Sequence, residues 1–312
     1  MVEKLKNAVR KAIVYADMAA AWPMRGSEMR RNRPVTMDEI AFCSTADDNF
    51  LPGCLLLLYS MKKHIPGVDA VPFYFFYDNA LSRLSRESRD RISRIYPNAR
   101  FVEKENELYR NTSCLTDEHK AAYLTLETFM VADHERVIFL DTDMLCVQNF
   151  MPKLLLPYDV IAVNSGDLLS YEGYVHWKKI NSGLFSVSRH ITGEATYNAL
   201  QTVVRERTDK NPKFLDQNVI NTYFAAAGQR LYVLPQGYNF RNWGAGGNGT
   251  DKQIRRYMKS GRLYLIHYSG YSLRPKPWEY DVRERRGLNG NPAYAVWDDY
   301  RREFEKEYGA LQ

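Results

Sequence analysis

The stretch Val137-Ile138-Phe139-Leu140-Asp141-Thr142-Asp143 places two carboxylates, one residue apart, directly after four apolar residues. A short apolar run closed by polar residues reads as a strand buried on both faces. Beyond the strand end the strict alternation of side chains relaxes, so both acids can turn toward one ion. Two hard oxygen donors suit Mg²⁺ or Mn²⁺ and leave coordination positions for phosphate oxygens and water. An Asp-x-Asp on its own is a weak signal, and strand-end acids without a ligand are the plain alternative. The buried-strand setting makes this one worth following.

Outward from that strand the chain alternates. Strands are expected over Ile40–Ser44, Val71–Tyr77, Arg100–Val102, Arg136–Leu140 and Tyr158–Val163. Helices are expected over Leu51–His64 (with Pro52 in its first turn), Ser82–Ile95 (closed by Pro97) and His119–Asp133. This alternation predicts an α/β fold: a mostly parallel central sheet in a Rossmann-like nucleotide-binding half, with helices on both faces. Ligands of such sheets sit beyond the carboxyl ends of the strands, so Asp47 and Asp141 should face one crevice. Further on, a helix is expected from Ala195 to about Arg207 and a strand over Leu263–His267. A last helix, Ala293–Tyr308, carries Trp297, Tyr300 and Phe304 at helical spacing as a docking face.

The 312 residues are 45% hydrophobic and 26% charged, a globular balance that excludes disorder and fibrous structure. No run approaches the roughly 20 apolar residues that cross a bilayer. The formal charge is +6, and residues 1–33 hold eight Lys/Arg against three acids, nearly all of that excess. The rest of the chain is close to neutral, which argues against nucleic acid as a partner. Residues 1–34 read as a basic N-terminal arm, helical over Lys4–Ala21 and ended by Pro23 and Gly26, able to pack on the domain or to touch the inner face of a membrane. Its apolar stretch Ala12–Met24 is broken by Asp17 and is too weak for a secretory leader. Cys43, Cys54, Cys114 and Cys146 form no CxxC pair, so a reduced, cytoplasmic setting is expected.

His267 ends the apolar run Leu263-Tyr-Leu-Ile-His267, and a neutral imidazole there could complete a metal shell and favour Mn²⁺ over an all-oxygen Mg²⁺ site. A lone histidine is more often structural, and only its company makes this one notable. The basic, proline-stiffened Arg274-Pro-Lys276-Pro-Trp278 suits a diphosphate.

Taken together these segments resemble glycosyltransferase family 8, a group with the GT-A fold. The resemblance spans Glu39–Trp278, about three quarters of the chain, and rests on five motifs in order. They are Ala46-Asp47-Asp48-Asn49-Phe50, Asp141-Thr142-Asp143, Asn181-Ser-Gly-Leu-Phe, Asp216-Gln217, and His267-Tyr-Ser-Gly270 with Lys276-Pro-Trp278. The resemblance implies a GT-A domain over residues 35–278, followed by a helical tail, 279–312. It implies that Ala46, Asp47 and Asn49 contact the nucleotide, with Asp47 and Asn49 on uracil, and that Asp141, Thr142 and Asp143 lie at the ribose and the metal. His267 would be the third metal ligand beside Asp141 and Asp143, and Gly270, Arg274 and Lys276 would hold the diphosphate. Asn181, Asp216 and Gln217 would form the catalytic, sugar-facing set, Gln217 at the reacting face of the anomeric carbon.

The implied activity is a retaining, metal-dependent transfer of a hexose or related sugar from a UDP-sugar. The acceptor would be a glycan, lipid-linked or protein-linked, in surface polysaccharide or glycoconjugate synthesis. A silent nucleotide-sugar or glycan-binding member of the same fold is the alternative, and a homodimer is compatible with either. A haloacid-dehalogenase-like phosphatase also uses Asp-x-Asp after a strand, but prefers Thr or Val where Leu145 stands. The family's usual cation before the metal strand is missing: Tyr123-Leu124-Thr125-Leu126 fills that stretch, and Lys120 is the nearest base. Acceptor contacts are expected from Tyr171, Tyr174, His176 and Trp177 in one loop and from Tyr238 and Trp243 in another.

Overall fold

The computed structural model describes residues 2–114, 117–165, 170–207, 211, 213–241, 251–269, 275–288 and 290–311. The strands are β1 (Ile40–Thr45), β2 (Phe73–Tyr77), β3 (Ala99–Glu103), β4 (Arg136–Leu140), β5 (Met144–Cys146) and β6 (Val160–Asn164). They continue as β7 (Gly173–His176), β8 (Ile180–Ser188), β9 (Arg230–Leu234), β10 (Phe240–Arg241) and β11 (Leu265–His267).

Eight strands form one sheet in the order β3-β2-β1-β4-β8-β6-β9-β7. Strands β3, β2, β1 and β4 are parallel neighbours, as are β6 and β9. The sheet is mostly parallel, as the alternating pattern predicts, but β8 and β7 run antiparallel within it. The sequence reading did not foresee β8. Its nine residues are buried apart from Asn181, with no alternation to mark a strand. Parallel neighbours of β1 lie on both sides, β2 on one and β4 on the other, so the strand order reverses there. In sheets of this kind such a reversal is where a ligand crevice is expected, here at the carboxyl ends of β1 and β4.

The two faces of β4 follow the two-residue period of a strand. Ile138 and Leu140 join the core layer that holds Leu55–Leu58 of the Leu51–His64 helix and the C-terminal helix Pro292–Tyr308. Val137 and Phe139 join the other layer, with Leu124, Phe129, Leu200 and Phe224. The segment expected as one helix over His119–Asp133 is a short α-helix, Asp117–Ala121, running into a 3₁₀ segment, Ala122–Met130. Leu124 is fully buried there, so the missing cation of that stretch is replaced by core packing.

The N-terminal arm differs from its reading. One helix runs from Val2 to Arg31, through Pro23. Proline removes one helical hydrogen bond, a cost of about 3 kcal/mol in a helix interior. Tertiary anchors on its far side hold the helix on course. Arg25 Nε donates to Tyr158 Oη at 2.7 Å, Tyr174 Oη donates to Glu28, Arg31 pairs with Asp159, and Asn32 Nδ2 donates to Asp159 Oδ1 at 2.8 Å. None of the described helices is long and apolar enough to cross a membrane.

The C-terminal helix docks as its aromatic stripe predicts. Trp297 is fully buried, with ring centroids 5.4 Å from both Tyr268 and Trp278. Phe304 packs edge-on against Tyr59, and Tyr300 hydrogen-bonds His64. Because Trp297 backs both Tyr268 and Trp278, Trp297→Ala should cost about 3–5 kcal/mol in urea unfolding, the usual range for a buried tryptophan.

Candidate metal and donor-sugar site

The site forms where the large sheet meets a second, three-stranded sheet, β10-β11-β5. β4 ends at Leu140, opposite Leu184 of β8, and the Asp141 amide donates to the Gly183 carbonyl at 2.9 Å. The chain then turns through Thr142 and Asp143 into β5, whose antiparallel register pairs Met144 with His267 of β11. The Tyr268 amide donates to the Asp143 carbonyl at 3.0 Å. Two segments more than 120 residues apart in sequence are thereby fixed side by side.

Asp141, Asp143 and His267 each offer a ligand atom, and the three atoms lie within 4.8 Å of one another. His267 Nε2 is 3.1 Å from Asp143 Oδ1 and 3.4 Å from Asp141 Oδ2. Asp143 Oδ1 is buried and accepts no well-directed hydrogen bond from the described residues. A buried carboxylate oxygen without a donor is costly unless something electropositive meets it. Glycine at 183 keeps the space beside it open: a Cβ there would lie 2.4 Å from His267 Cε1 and 2.6 Å from Asp141 Oδ2. The oxygen–oxygen–imidazole set, the orphaned oxygen and the glycine cradle fit a divalent metal ion.

The electrostatics are those of a crowded acidic pair. Burial raises the Asp141 carboxyl, and Asp143 beside it pushes the same way against the opposing pull of His267. Burial acts on Asp143 too, but Lys276 and His267 outweigh it and hold its carboxyl well below the ordinary range. The Lys276 ammonium bonds Asp143 and the Tyr268 carbonyl, and lies 5.0 Å over the Phe50 ring. Trp278, the third residue of Lys276-Pro-Trp278, packs edge-on against Phe50 at 5.7 Å. The loop after β1 and the segment after β11 are thus clamped together over the acids.

Asn181 and Gln217, which the resemblance implies face the sugar, lie in contact with each other. Asn181 Nδ2 donates to Gln217 Oε1 at 2.9 Å, and the Ser182 amide reaches the same oxygen at 3.4 Å. Asp216 and Gln217 open the helix Asp216–Ala226. Burial pushes the Asp216 carboxyl up to about 6, against hydrogen bonds from Ser182 and the Gln217 amide. In the first loop, Asp47 Oδ1 accepts the Phe50 amide at 2.8 Å, Asn49 is exposed and Ala46 is buried. The neighbouring Asp48 is spent on structure, accepting the Ser85 amide at 2.9 Å and the Ser88 hydroxyl at 2.6 Å. Thr142 is buried between the two acids. Gly270 and Arg274 lie outside the described residues.

The aromatic residues expected to meet an acceptor mostly face inward. Tyr174 bonds buried Glu28, Trp177 stacks on Phe224 at 5.1 Å, and Tyr238 stacks on Tyr264 at 4.1 Å. Tyr171 is half-buried, and exposed His176 pairs with Asp17. Trp243 lies outside the described residues. Asn239, absent from every motif, belongs to the site: it is fully buried and touches both His267 and Asn181. Its sequence cue is its place just before β10, a two-residue strand paired with β11.

Two outcomes follow. Gly183→Ala should leave the fold intact and weaken Mn²⁺ binding at least about tenfold in a calorimetric titration, because the added methyl occupies the cradle. Asp216 binds its proton more tightly folded than unfolded, so its contribution to stability falls as pH rises from about 4 through about 6. Asp216→Asn removes that loss. The variant should melt above the parent at about pH 8 and converge with it near pH 4 in thermal unfolding.

No model of a known protein family matches the sequence, and no curated protein does. Among solved structures, the chain is similar to the galactosyltransferase LgtC, crystallised with donor and acceptor sugar analogs. The identity is 16% and the TM-score 0.58, over 82% of this chain and 94% of that one. The bifunctional glycosyltransferase WbbM matches 90% of this chain and 53% of its own at 16% identity and TM-score 0.55. The glycosyltransferase GlyE of Streptococcus pneumoniae TIGR4 matches 83% and 60% at 16% identity and TM-score 0.52. The chain has the fold of these glycosyltransferases.

Proposed function

We propose that this protein is a metal-dependent, retaining glycosyltransferase that moves a hexose or related sugar from a UDP-sugar to a hydroxyl of a glycan, lipid-linked or protein-linked acceptor. The observation that carries the reading is the meeting of Asp141, Asp143 and His267 with Asn181 and Gln217 at the strand-order reversal of a glycosyltransferase fold. LgtC, of the same fold, has an active-site variant in which a glutamine is exchanged for glutamate, and Gln217 is this chain's candidate for such a glutamine.

Asp141, Asp143 and His267 would hold the divalent ion, Mn²⁺ in preference to Mg²⁺, which when bound supplies a Lewis acid against charge growing on the departing diphosphate. Lys276 adds a fixed ammonium at the same edge of the site, and Arg274 and Gly270 belong to the same diphosphate-facing segment. Asp47, Asn49 and Ala46 hold the nucleotide at the end of β1, and Thr142 carries the turn between the two acids. Asn181 and Asp216 orient the sugar hydroxyls. Gln217 offers a neutral amide to the face of the anomeric carbon, which is a poor nucleophile but a good partner for an oxocarbenium-like centre. Retention then follows from attack on the leaving-group side. The acceptor oxygen bonds to C1 as the bond from C1 to the diphosphate breaks, and the acceptor's proton passes to a phosphate oxygen.

The arm adds a membrane contact to this proposal. Leu5, Val9 and Ile13 are exposed one turn apart on the N-terminal helix, among Lys6, Arg10 and Lys11. Such a face suits an anionic lipid surface bearing the acceptor. That placement supports a role in surface polysaccharide or glycoconjugate synthesis at the inner face of a membrane.

The test is a thermal-shift panel of UDP-, GDP-, ADP- and CMP-sugars with and without Mn²⁺. A donor at 100 times its dissociation constant stabilises by about 2.7 kcal/mol. A shift confined to a UDP-sugar, dependent on Mn²⁺ and lost in Asp143→Asn, is the expected result. No shift with any UDP-sugar overturns the proposal. A Mn²⁺-dependent shift without sugar transfer favours a silent binding protein, the reading to which the buried Leu124 lends weight.

A further inference from the structure

Four side chains run in line from the acidic cluster to the sugar-facing helix, and their hydrogen bonds have one consistent direction. His267 Nδ1 is 2.8 Å from Asn239 Oδ1, Asn239 Nδ2 is 2.7 Å from Asn181 Oδ1, and Asn181 Nδ2 is 2.9 Å from Gln217 Oε1. The two ends of a carboxamide look alike, so direction must come from atoms whose role is fixed. Backbone amides can only donate. The Gly183 amide meets Asn181 Oδ1 at 3.2 Å, and the Ser182 amide meets Gln217 Oε1 at 3.4 Å. Asn181 therefore presents its oxygen toward Asn239, and Asn239 must answer with its NH₂ group. That leaves only the carbonyl oxygen of Asn239 for His267. An acceptor there requires the proton on Nδ1, and in the neutral ring Nε2 is left with its lone pair, facing Asp141 and Asp143.

Asn239 can impose this because it cannot move. It is fully buried and ends the turn Gln236–Asn239. Gly237 lets that turn press against the segment leading into β11: a Cβ there would fall 1.8 Å from the Arg262 carbonyl oxygen. The Tyr264 amide donates to the Gly237 carbonyl at 2.8 Å, and Gln236 Nε2 donates to the Asn164 carbonyl at 3.0 Å.

We infer that Asn239 is a positioning residue with two separable duties: its carbonyl sets the His267 tautomer for metal ligation, and its NH₂ group holds Asn181, and through it Gln217, at the sugar. The inference rests on the donor-site reading above, and its two halves can be tested apart from it. In metal-free protein, NMR of isotope-labelled histidine should find a proton on His267 Nδ1, in a hydrogen bond to Asn239. Asn239→Asp keeps an acceptor for Nδ1–H and loses the donor to Asn181. It should bind Mn²⁺ within about threefold of the parent while donor-sugar turnover falls about 10- to 100-fold. Asn239→Leu loses both groups and should also weaken Mn²⁺ binding about 10- to 100-fold, the usual cost of removing the partner of a ligating histidine. A His267 ring with no proton on Nδ1, or a parental Mn²⁺ affinity in Asn239→Leu, overturns the inference. The tautomer measurement needs neither variant to fold nor any sugar to bind. A failed transferase reading would instead appear as a parent protein with no Mn²⁺-dependent response to a nucleotide sugar.

Discussion

Two carboxylates forced together at the end of a wholly buried strand set the terms for everything around them. Asp143 is buried and Asp141 stands beside it, so their mutual repulsion is little screened by water. A buried charge left without a partner costs several kcal/mol, which makes neighbouring positive or ligating groups obligatory. The fold meets this by importing partners from distant parts of the chain. β11 brings His267, the segment after it brings Lys276, and β8 contributes a glycine where any side chain would collide. The strands of the small sheet β10-β11-β5 are too short to be stable alone, and they also add Leu145, Phe240 and Ile266 to the main core.

Much of this was legible in the sequence, for reasons that can be stated. The strand Arg136–Leu140 and the helix Leu51–His64 are found where local pattern places them, because each has an uninterrupted apolar signal and an evident stop. Contacts bring together Asp141, Asp143, His267 and Lys276, and join Asn181 to Gln217 and Phe50 to Trp278. What stayed hidden depends on contacts far away in sequence. β8 is antiparallel because it inserts between β4 and β6, and nothing within Ile180–Ser188 encodes its direction. The helix through Pro23 persists because Glu28, Arg31 and Asn32 are fixed by Asp159 and Tyr174, more than 120 residues on. Asn239 sits in a short turn with no periodicity, and its importance lies only in the two side chains it joins.

The aromatic residues teach a complementary lesson. Loops rich in tyrosine and tryptophan invite a reading as sugar-stacking platforms, yet Tyr174, Trp177 and Tyr238 are consumed in ring-on-ring contacts. Such stacks cover wide area with few rotatable bonds, which is how loops beside an active site can be held still.

The sheet has two outer strands, and the chain treats them differently. β3 is five residues long and carries Arg100 and Glu103 outward, charges that discourage another strand from pairing there. β7, at the opposite end, is mostly buried and has no such charges within its first three residues. The N-terminal helix lies against it: Asp17 accepts from the His176 backbone amide, and the Met18 side chain fills the space over Gly173. The helix is therefore a sealing strip as much as an arm. A chain stripped of it would carry an open hydrogen-bonding edge of apolar sheet, and its characteristic failure would be association with its own copies rather than loss of the site at the other end of the fold.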